Sequence, residues 1–335
     1  MIKNTIYISL LICSFVLNAF GQTKVGTTAA NFLTIPIGAR ATGMGGAFVA
    51  LANDATSAFW NPAGLTSLSG NQINATHTPW LVNTDLNWLS LVMKFGVNAL
   101  SVSINQLDYG SEEITTPNAP MGTGQKWDAM DLSFGVSCAR ELTDRFSFGT
   151  TVKIIQQQIW HETANAVAMD VGLLYKTAFR GLTIGMNISN FGTELEMQGK
   201  DLLQPVDIDP GNSGNNDNIV ANMDTDSWPL PLAFTVGLGV DVFQNEDWRV
   251  TMASDATHPN NQKLHMNLGS EFSWREMLAL RAGYNSLFKE EAQEGFAFGF
   301  GLNYPFGDLI VSLDYSYMEF GVFNPISRYS LNLQF

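Results

Sequence analysis

The stretch from Leu309 to Tyr317, Leu-Ile-Val-Ser-Leu-Asp-Tyr-Ser-Tyr, decides the fold of this chain. Large apolar or aromatic side chains occupy every odd position, and after Ile310 the even positions carry Ser, Asp and Ser. Because successive side chains of a β-strand point to opposite faces, this period of two predicts a strand with one apolar and one polar face. The same alternation recurs at 182–188, 232–240 and 296–304.

Segments of this kind fill the chain from about residue 70 onward. Fourteen of them are predicted as strands, at approximately 70–78, 86–95, 98–108, 127–140, 145–158, 165–176, 181–190, 230–241, 247–256, 261–273, 277–286, 294–304, 308–319 and 326–335. Short turns such as Gly96-Val97 alternate with longer loops such as 109–126, 159–164 and 191–229. An even strand number with short turns at one rim and long loops at the other is typical of outer-membrane barrels. The sequence therefore predicts an all-β fold, a transmembrane outer-membrane β-barrel of about 14 antiparallel strands.

A soluble sandwich or propeller also alternates, so it is the competing fold. Against it, the polar faces consist of Gly, Ser, Asn and charged residues and provide no second apolar core. The last strand, Tyr329 to Phe335, ends on an aromatic residue, which resembles the signal that bacterial barrels present to their insertion machinery. Aromatic residues also gather near strand ends, where a membrane interface favours amphipathic rings. They are Trp80, Trp88, Trp127, Trp160, Trp248, Trp274, Tyr284 and Tyr304.

Composition and charge exclude two broad classes of protein. Of 335 residues, 45% are hydrophobic and only 14% charged, yet no run approaches the roughly 20 apolar residues of a membrane-spanning helix. Lys and Arg number 17 against 31 Asp and Glu, a net charge of −14. The chain therefore lacks the basic footprint of a nucleic-acid-binding protein.

The N-terminus has the features of a secretion signal. Lys3 precedes a short apolar run from Ile6 to Leu17, and Ala19-Phe20-Gly21 offers small residues at the two positions that a signal peptidase reads. We predict a signal peptide over 1–21 with cleavage before Gln22, with an uncleaved anchor as the alternative. The predicted domains are then this peptide, an N-terminal plug or hatch segment over 22–69 and the barrel over 70–335, in the outer membrane of a Gram-negative cell.

If the apolar face of each strand meets lipid, the charged residues of the other face point into the lumen. On the lipid face a Lys or Arg would cost about 2–4 kcal/mol at mid-bilayer. A polar lining for a passage and a salt-bridged, plugged interior are both compatible with such charges. The residues predicted inside are Lys94, Asp131, Lys153, Asp170, Asp241, Arg249, Glu271, Arg281 and Asp314.

A distinctive motif precedes the first strand. Residues 37–50 read Ile-Gly-Ala-Arg-Ala-Thr-Gly-Met-Gly-Gly-Ala-Phe-Val-Ala, and residues 51–65 read Leu-Ala-Asn-Asp-Ala-Thr-Ser-Ala-Phe-Trp-Asn-Pro-Ala-Gly-Leu. No Lys-Ser/Thr follows the glycines and no βαβ unit surrounds them, so this is not a nucleotide loop. Asn53 or Asp54 can cap a short helix that Pro62 ends. The candidate residues of this plug or hatch are Gly38, Arg40, Gly43, Gly45, Gly46, Asp54, Asn61, Pro62 and Gly64.

This motif resembles that of the PorV/PorQ family of Bacteroidetes-type outer-membrane proteins, a branch of the fold of the FadL fatty-acid transporters. The resemblance is sharp over 33–68 and extends as a strand pattern over the rest. It implies a fourteen-stranded, FadL-like barrel that acts in type IX secretion. In that role it would plug the side of the translocon. Alternatively, it would bind cargo proteins by the cargo's C-terminal signal domain and shuttle them to the surface-attachment complex. FadL relatives instead pass hydrophobic molecules through the barrel wall. The sequence of residues 61–65, Asn-Pro-Ala-Gly-Leu, is closer to the general FadL-like motif and favours that alternative.

No pattern of catalytic or metal-binding residues stands out. His161 and Glu162 lack the second His of a zinc-protease helix, and no Gly-x-Ser-x-Gly elbow occurs. The stretch 207–211 starts like a calcium loop but lacks its sixth-position Gly and closing Glu. The sequence therefore predicts no enzyme, no cofactor and no metal. The predicted partners are outer-membrane lipid with a secretion translocon and cargo signal domains, or alternatively a hydrophobic ligand, and no nucleic acid.

Overall fold

The computed structural model describes residues 25–212, 218–289 and 292–335, and the predicted signal peptide lies outside them. Within the described residues, fourteen antiparallel strands form one closed barrel in which every strand pairs with its sequence neighbours and β1 pairs with β14. The strands are β1 (Gln72–Pro79), β2 (Asp85–Phe95), β3 (Asn98–Glu113), β4 (Lys126–Thr143), β5 (Phe146–Ile159), β6 (Glu162–Lys176), β7 (Thr183–Gly192), β8 (Ala233–Gln244), β9 (Trp248–Pro259), β10 (His265–Trp274), β11 (Leu278–Leu287), β12 (Glu294–Phe306), β13 (Leu309–Phe320) and β14 (Ile326–Gln334). Each overlaps one predicted segment, so the predicted barrel of 14 strands is confirmed.

Burial along each strand is the reverse of that in a soluble protein. In β3, Leu100, Val102 and Ile104 are exposed, whereas Ser101 and Ser103 are buried. The outer wall is thus apolar and the lumen polar, which is the arrangement that lipid as a solvent requires. This pattern excludes the sandwich, which would bury the apolar faces.

The two rims differ as predicted, with one exception. Two-residue turns such as 96–97 and 307–308 lie at one rim, and the loop of residues 193–232 between β7 and β8 lies at the other. The predicted loop 159–164 is instead a two-residue turn, because pairing continues out to Ile159 and Glu162. Within the described residues, no helix is long and apolar enough to cross a membrane.

Residues 25–71, here called the N-terminal segment, run through the barrel before β1 begins. The segment contains two short helices, α1 (Ala39–Gly43) and α2 (Ser57–Trp60), and 3-10 turns at Asn31–Thr34 and Pro62–Ser67. Many of its large apolar side chains are buried, among them Ile37, Met44, Phe48 and Leu65. The hydrophobic core of the protein therefore lies between this segment and the inward faces of the strands.

Candidate functional site

Glycines on both partners let the backbone of the N-terminal segment touch the barrel wall. Gly43 of α1 faces Gly299 of β12, where an added β-carbon would come within 2.9 Å of the Gly299 Cα. A β-carbon on Gly283 of β11 would overlap the backbone at Gly45. Gly45 and Gly46 also hold φ angles of +63° and +77°, a region that favours glycine. The glycines of the motif thus serve both close approach and turn geometry.

A buried ion network forms the first anchor of the segment. The guanidinium of Arg40 makes two hydrogen bonds to Glu271 of β10, with Nε 3.0 Å from Oε2 and Nη2 3.1 Å from Oε1. Arg281 of β11 donates to the same Oε2 at 2.6 Å and to Asp314 Oδ1 of β13 at 2.6 Å. Charge-assisted pairs of this kind are the strongest hydrogen bonds in proteins. Burial lowers the pKa of Arg40, but Glu271 and Asp54 outweigh it, so the net shift is upward and the side chain stays charged.

Asp255 of β9 makes the second anchor. Its Oδ2 accepts hydrogen bonds from the backbone N–H groups of Phe48 at 2.8 Å and Val49 at 2.9 Å. Gly237 on the neighbouring strand gives this loop room, because a β-carbon there would lie 2.9 Å from the Ala50 nitrogen. The carboxylate therefore fixes the turn that follows the glycines.

Asn61 makes the third anchor. Its Nδ2 donates to the Val49 carbonyl at 2.9 Å and to the Leu173 carbonyl of β6 at 3.0 Å. Its Oδ1 accepts from the Ala63 nitrogen at 3.2 Å, and Pro62 begins the 3-10 turn at that point. One fully buried amide thus joins two parts of the segment to the wall.

The other predicted motif residues shape the segment itself. Gly38 precedes α1 at a φ of +77°, and Gly64 packs against Ala52. Asp54 Oδ1 accepts from the Thr56 nitrogen at 2.9 Å just before α2, while Asn53 accepts from Arg40 Nη1. The structure therefore brings all nine predicted motif residues into one body inside the barrel.

Each of the nine predicted lumenal charges has a polar partner. Lys94 Nζ donates to the carbonyls of Thr66 and Leu68, and Lys153 lies 2.9 Å from Asp170 Oδ1. The remaining charges bind polar groups of the lumen or its rim. The prediction missed the buried Asp255 and Arg328. The alternation of side chains along the strand is the signal that could have identified Asp255. It lies an even number of residues from Arg249 on β9 and therefore faces the same way.

Two cavities lie on opposite sides of the N-terminal segment. The outer cavity, of about 190 Å³, reaches the long-loop rim and is lined by residues such as Trp60, Asn187 and Asp255. The inner cavity, of about 280 Å³, reaches the short-turn rim beside Arg40 and Glu276. Among the described residues, no side chain lines both cavities.

The possible calcium-loop start folds locally on itself. Asp207 Oδ1 accepts from the Asp209 nitrogen at 2.9 Å. In the part of the chain that the structure describes, no three His, Cys, Asp or Glu side chains come together as a group that could hold a metal ion.

Comparison with known proteins adds the family to this geometry. The family model described as type IX secretion system protein PorV matches residues 18–211. The chain belongs to the PorV family. It matches no curated protein sequence. This PorV-family barrel resembles three solved outer-membrane proteins at identities that show the fold alone.

The toluene transporter TodX of Pseudomonas putida is 16% identical with a TM-score of 0.55, over 89% of this chain and 96% of that one. The monoaromatic hydrocarbon channel CymD is 13% identical with a TM-score of 0.56, over 89% and 96%. A FadL homologue of Pseudomonas aeruginosa is 12% identical with a TM-score of 0.55, over 90% and 98%. Fold and family together confirm the predicted FadL-like barrel and its outer-membrane location.

Proposed function

We propose that this barrel acts in type IX protein secretion with an occupied lumen, docking the translocon or the signal domains of cargo proteins through its outer loops. The observation that carries the proposal is the N-terminal segment, held inside the barrel by Glu271, Asp255 and Asn61. Removing one partner of a buried ion pair typically costs about 3–5 kcal/mol. A segment anchored at three separate points of the wall occupies the lumen, which suits a docking barrel better than an open passage.

The long loop between β7 and β8 offers a surface for such docking. It exposes four apolar side chains, Leu203, Ile208, Val220 and Met223, which are here together called the outer-loop patch. Ile208 is 71% and Val220 66% exposed. Because contiguous exposed apolar surface marks protein contacts, we propose that these side chains bind the partner.

Genetic complementation tests the secretion role. The gene would be deleted in the bacterium that encodes it, then restored as wild type, as the double variant Ile208→Asp/Val220→Asp, or as the control Val322→Asp. Val322 is 87% exposed on the loop between β13 and β14. We expect the deletion to abolish surface display of cargo in a surface proteome, the patch variant to reduce it severalfold and the control to restore it. Cargo display that survives the deletion would refute the proposal.

Native mass spectrometry of the gently extracted barrel identifies its partners directly. Co-purification of a large barrel subunit, or of proteins that carry a secretion signal domain, supports the docking role. The patch variant should lose these partners while the Val322→Asp control retains them.

Transport of fatty acids or other hydrophobic small molecules is the second candidate function. The FadL-like fold and the apolar part of the outer-cavity wall, from Leu33, Phe59 and Trp60, favour it. It predicts that the barrel is extracted without protein partners and with one apolar molecule bound, and that deletion slows uptake of that molecule while cargo display is unchanged.

We also propose that the mature protein begins at Gln22. The small residues Ala19 and Gly21 support cleavage at this point. Intact-mass measurement of the purified protein tests it, because an uncleaved anchor would retain the mass of residues 1–21.

A further inference from the structure

Asp255 is a buried carboxylate with one oxygen unused. The residue is 1% exposed, and its Oδ2 accepts from the Phe48 and Val49 nitrogens. Its Oδ1 is buried without a hydrogen-bond partner, and no Lys, Arg or His of the described residues forms an ion pair with it. Asp255 lines the outer cavity, and its Oδ1 lies over Gly237 of β8, where an added β-carbon would overlap it.

A second unused acceptor lines the same cavity. Asn187 of β7 is 5% exposed, and its Oδ1 is also buried without a hydrogen-bond partner among the described residues. Its register partner is Thr235 of β8, and Gly237 two residues along β8 is paired with Asp255 of β9. Asn187 on β7 and Asp255 on β9 thus lie on either side of β8, and both line the same cavity. Buried acceptors without donors are unfavourable, so the pair favours a ligand that brings N–H groups.

The two lysines that line the cavity form ion pairs with carboxylates other than Asp255. Lys153 Nζ lies 2.9 Å from Asp170 Oδ1 and also binds Asn190. Lys289 Nζ lies 3.4 Å from Glu294 Oε2. Asp255 is therefore the carboxylate of this cavity that lacks a cationic partner among the described residues.

The rest of the wall is suited to an apolar body. Leu33, Val49, Phe59 and Trp60 of the N-terminal segment line the cavity opposite the polar strand positions. Its volume of about 190 Å³ exceeds the roughly 150 Å³ of an apolar cavity that holds benzene. A single ring or short chain with a small charged arm fits these dimensions.

We propose that the outer cavity binds a small primary amine with an apolar body, its ammonium between Asp255 and Asn187 and its body against Trp60. A bound amine would bridge the wall and the N-terminal segment and so hold the segment in place. This binding does not depend on whether the barrel serves secretion or transport.

Isothermal titration of the purified full chain in detergent near neutral pH tests the site. The probes are phenethylamine, phenethyl alcohol and hydrocinnamate, which share a phenyl body and differ in the charge of the arm. We expect one phenethylamine per barrel, bound at least about tenfold more tightly than the alcohol because the ammonium meets a buried carboxylate. Hydrocinnamate should not bind. Equal affinity for amine and alcohol, or no binding of any probe, would overturn the proposal.

Variants then assign the two acceptors. Asp255→Asn keeps an oxygen for the Phe48 and Val49 amides and should abolish the preference for the amine. Asn187→Asp adds a second carboxylate without touching those amides, and should tighten amine binding severalfold even if the first variant fails to fold. Asp85→Asn, an exposed carboxylate, is the control and should change nothing. Retention of heat-modifiable gel migration verifies folding, and an unchanged amine preference in a folded Asp255→Asn variant contradicts the site.

Discussion

At the scale of single residues, Glu271 carries the strongest prediction. Its side chain is 3% exposed and neutralises both Arg40 and Arg281. Glu271→Gln leaves two inward guanidiniums without their shared charge, so we expect the free energy of unfolding to fall by about 3 kcal/mol or more. Urea unfolding in detergent, followed by tryptophan fluorescence, measures the change. Glu276→Gln, on a side chain that is 63% exposed, is the matched control and should shift it by less than about 1 kcal/mol.

Arg328 presents the opposite case, a buried charge without a counter-ion among the described residues. Its Nε donates to the Pro36 carbonyl at 3.2 Å, and its guanidinium lies 5.6 Å from the ring centre of Trp80. In the part of the chain that the structure describes, Nη1 and Nη2 have no hydrogen-bond partner. Replacing an uncompensated buried charge by an apolar side chain of similar length removes its desolvation penalty. We expect Arg328→Met to raise the free energy of unfolding by about 1 kcal/mol or more. The same urea titration decides, with the exposed Arg275→Met as control, and a clear loss of stability would contradict this account.

At the scale of elements, the sequence predicts strands well wherever the two faces differ. The sequence does not predict the end of a strand where its two faces have the same character. An example is β3, which continues to Glu113 although the alternation of apolar and polar residues ends near residue 108. Beyond Asp108 both faces of the hairpin are exposed, so no burial pattern reports the pairing of Ser111 with Asp128. The path of the N-terminal segment could not be predicted from local sequence patterns either. Its contacts join residues far apart in the chain, such as Arg40 and Glu271, which are 231 residues apart.

The packing of the glycine turn on β11 makes a prediction at this scale. Gly283→Ala places a methyl group in overlap with the backbone atoms of Met44 and Gly45, so the wall or the turn must shift. Overpacking of this kind costs about 1–3 kcal/mol. We expect Gly283→Ala to lower the unfolding midpoint in urea, and Gly295→Ala, which meets only the side chain of Glu319, to leave it unchanged. Equal midpoints for the two variants would show that the turn does not rest on β11 as described.

At the scale of the whole molecule, the open question from sequence was whether inward charges line a passage or close one. An open passage and a closed lumen need the same residues on the same strand faces. The alternation of polar and apolar residues alone therefore cannot distinguish between them. The contacts favour closure, since the charges pair with one another or with the N-terminal segment. The two cavities on either side of that segment are accordingly lined by separate sets of residues.

Closure of this kind has an electrical consequence. We expect the wild-type barrel in planar lipid bilayers to show no steady ionic conductance, because the segment occupies the lumen. The double variant Glu271→Ala/Asp255→Ala removes two of the anchors that fix α1 and the turn after it, so the segment should leave its place intermittently and produce discrete openings. The control Glu276→Ala/Asp85→Asn alters two charges that are more than half exposed and should stay silent. Steady conductance in the wild type, or a silent double variant that remains folded, would mean that these anchors do not close the lumen.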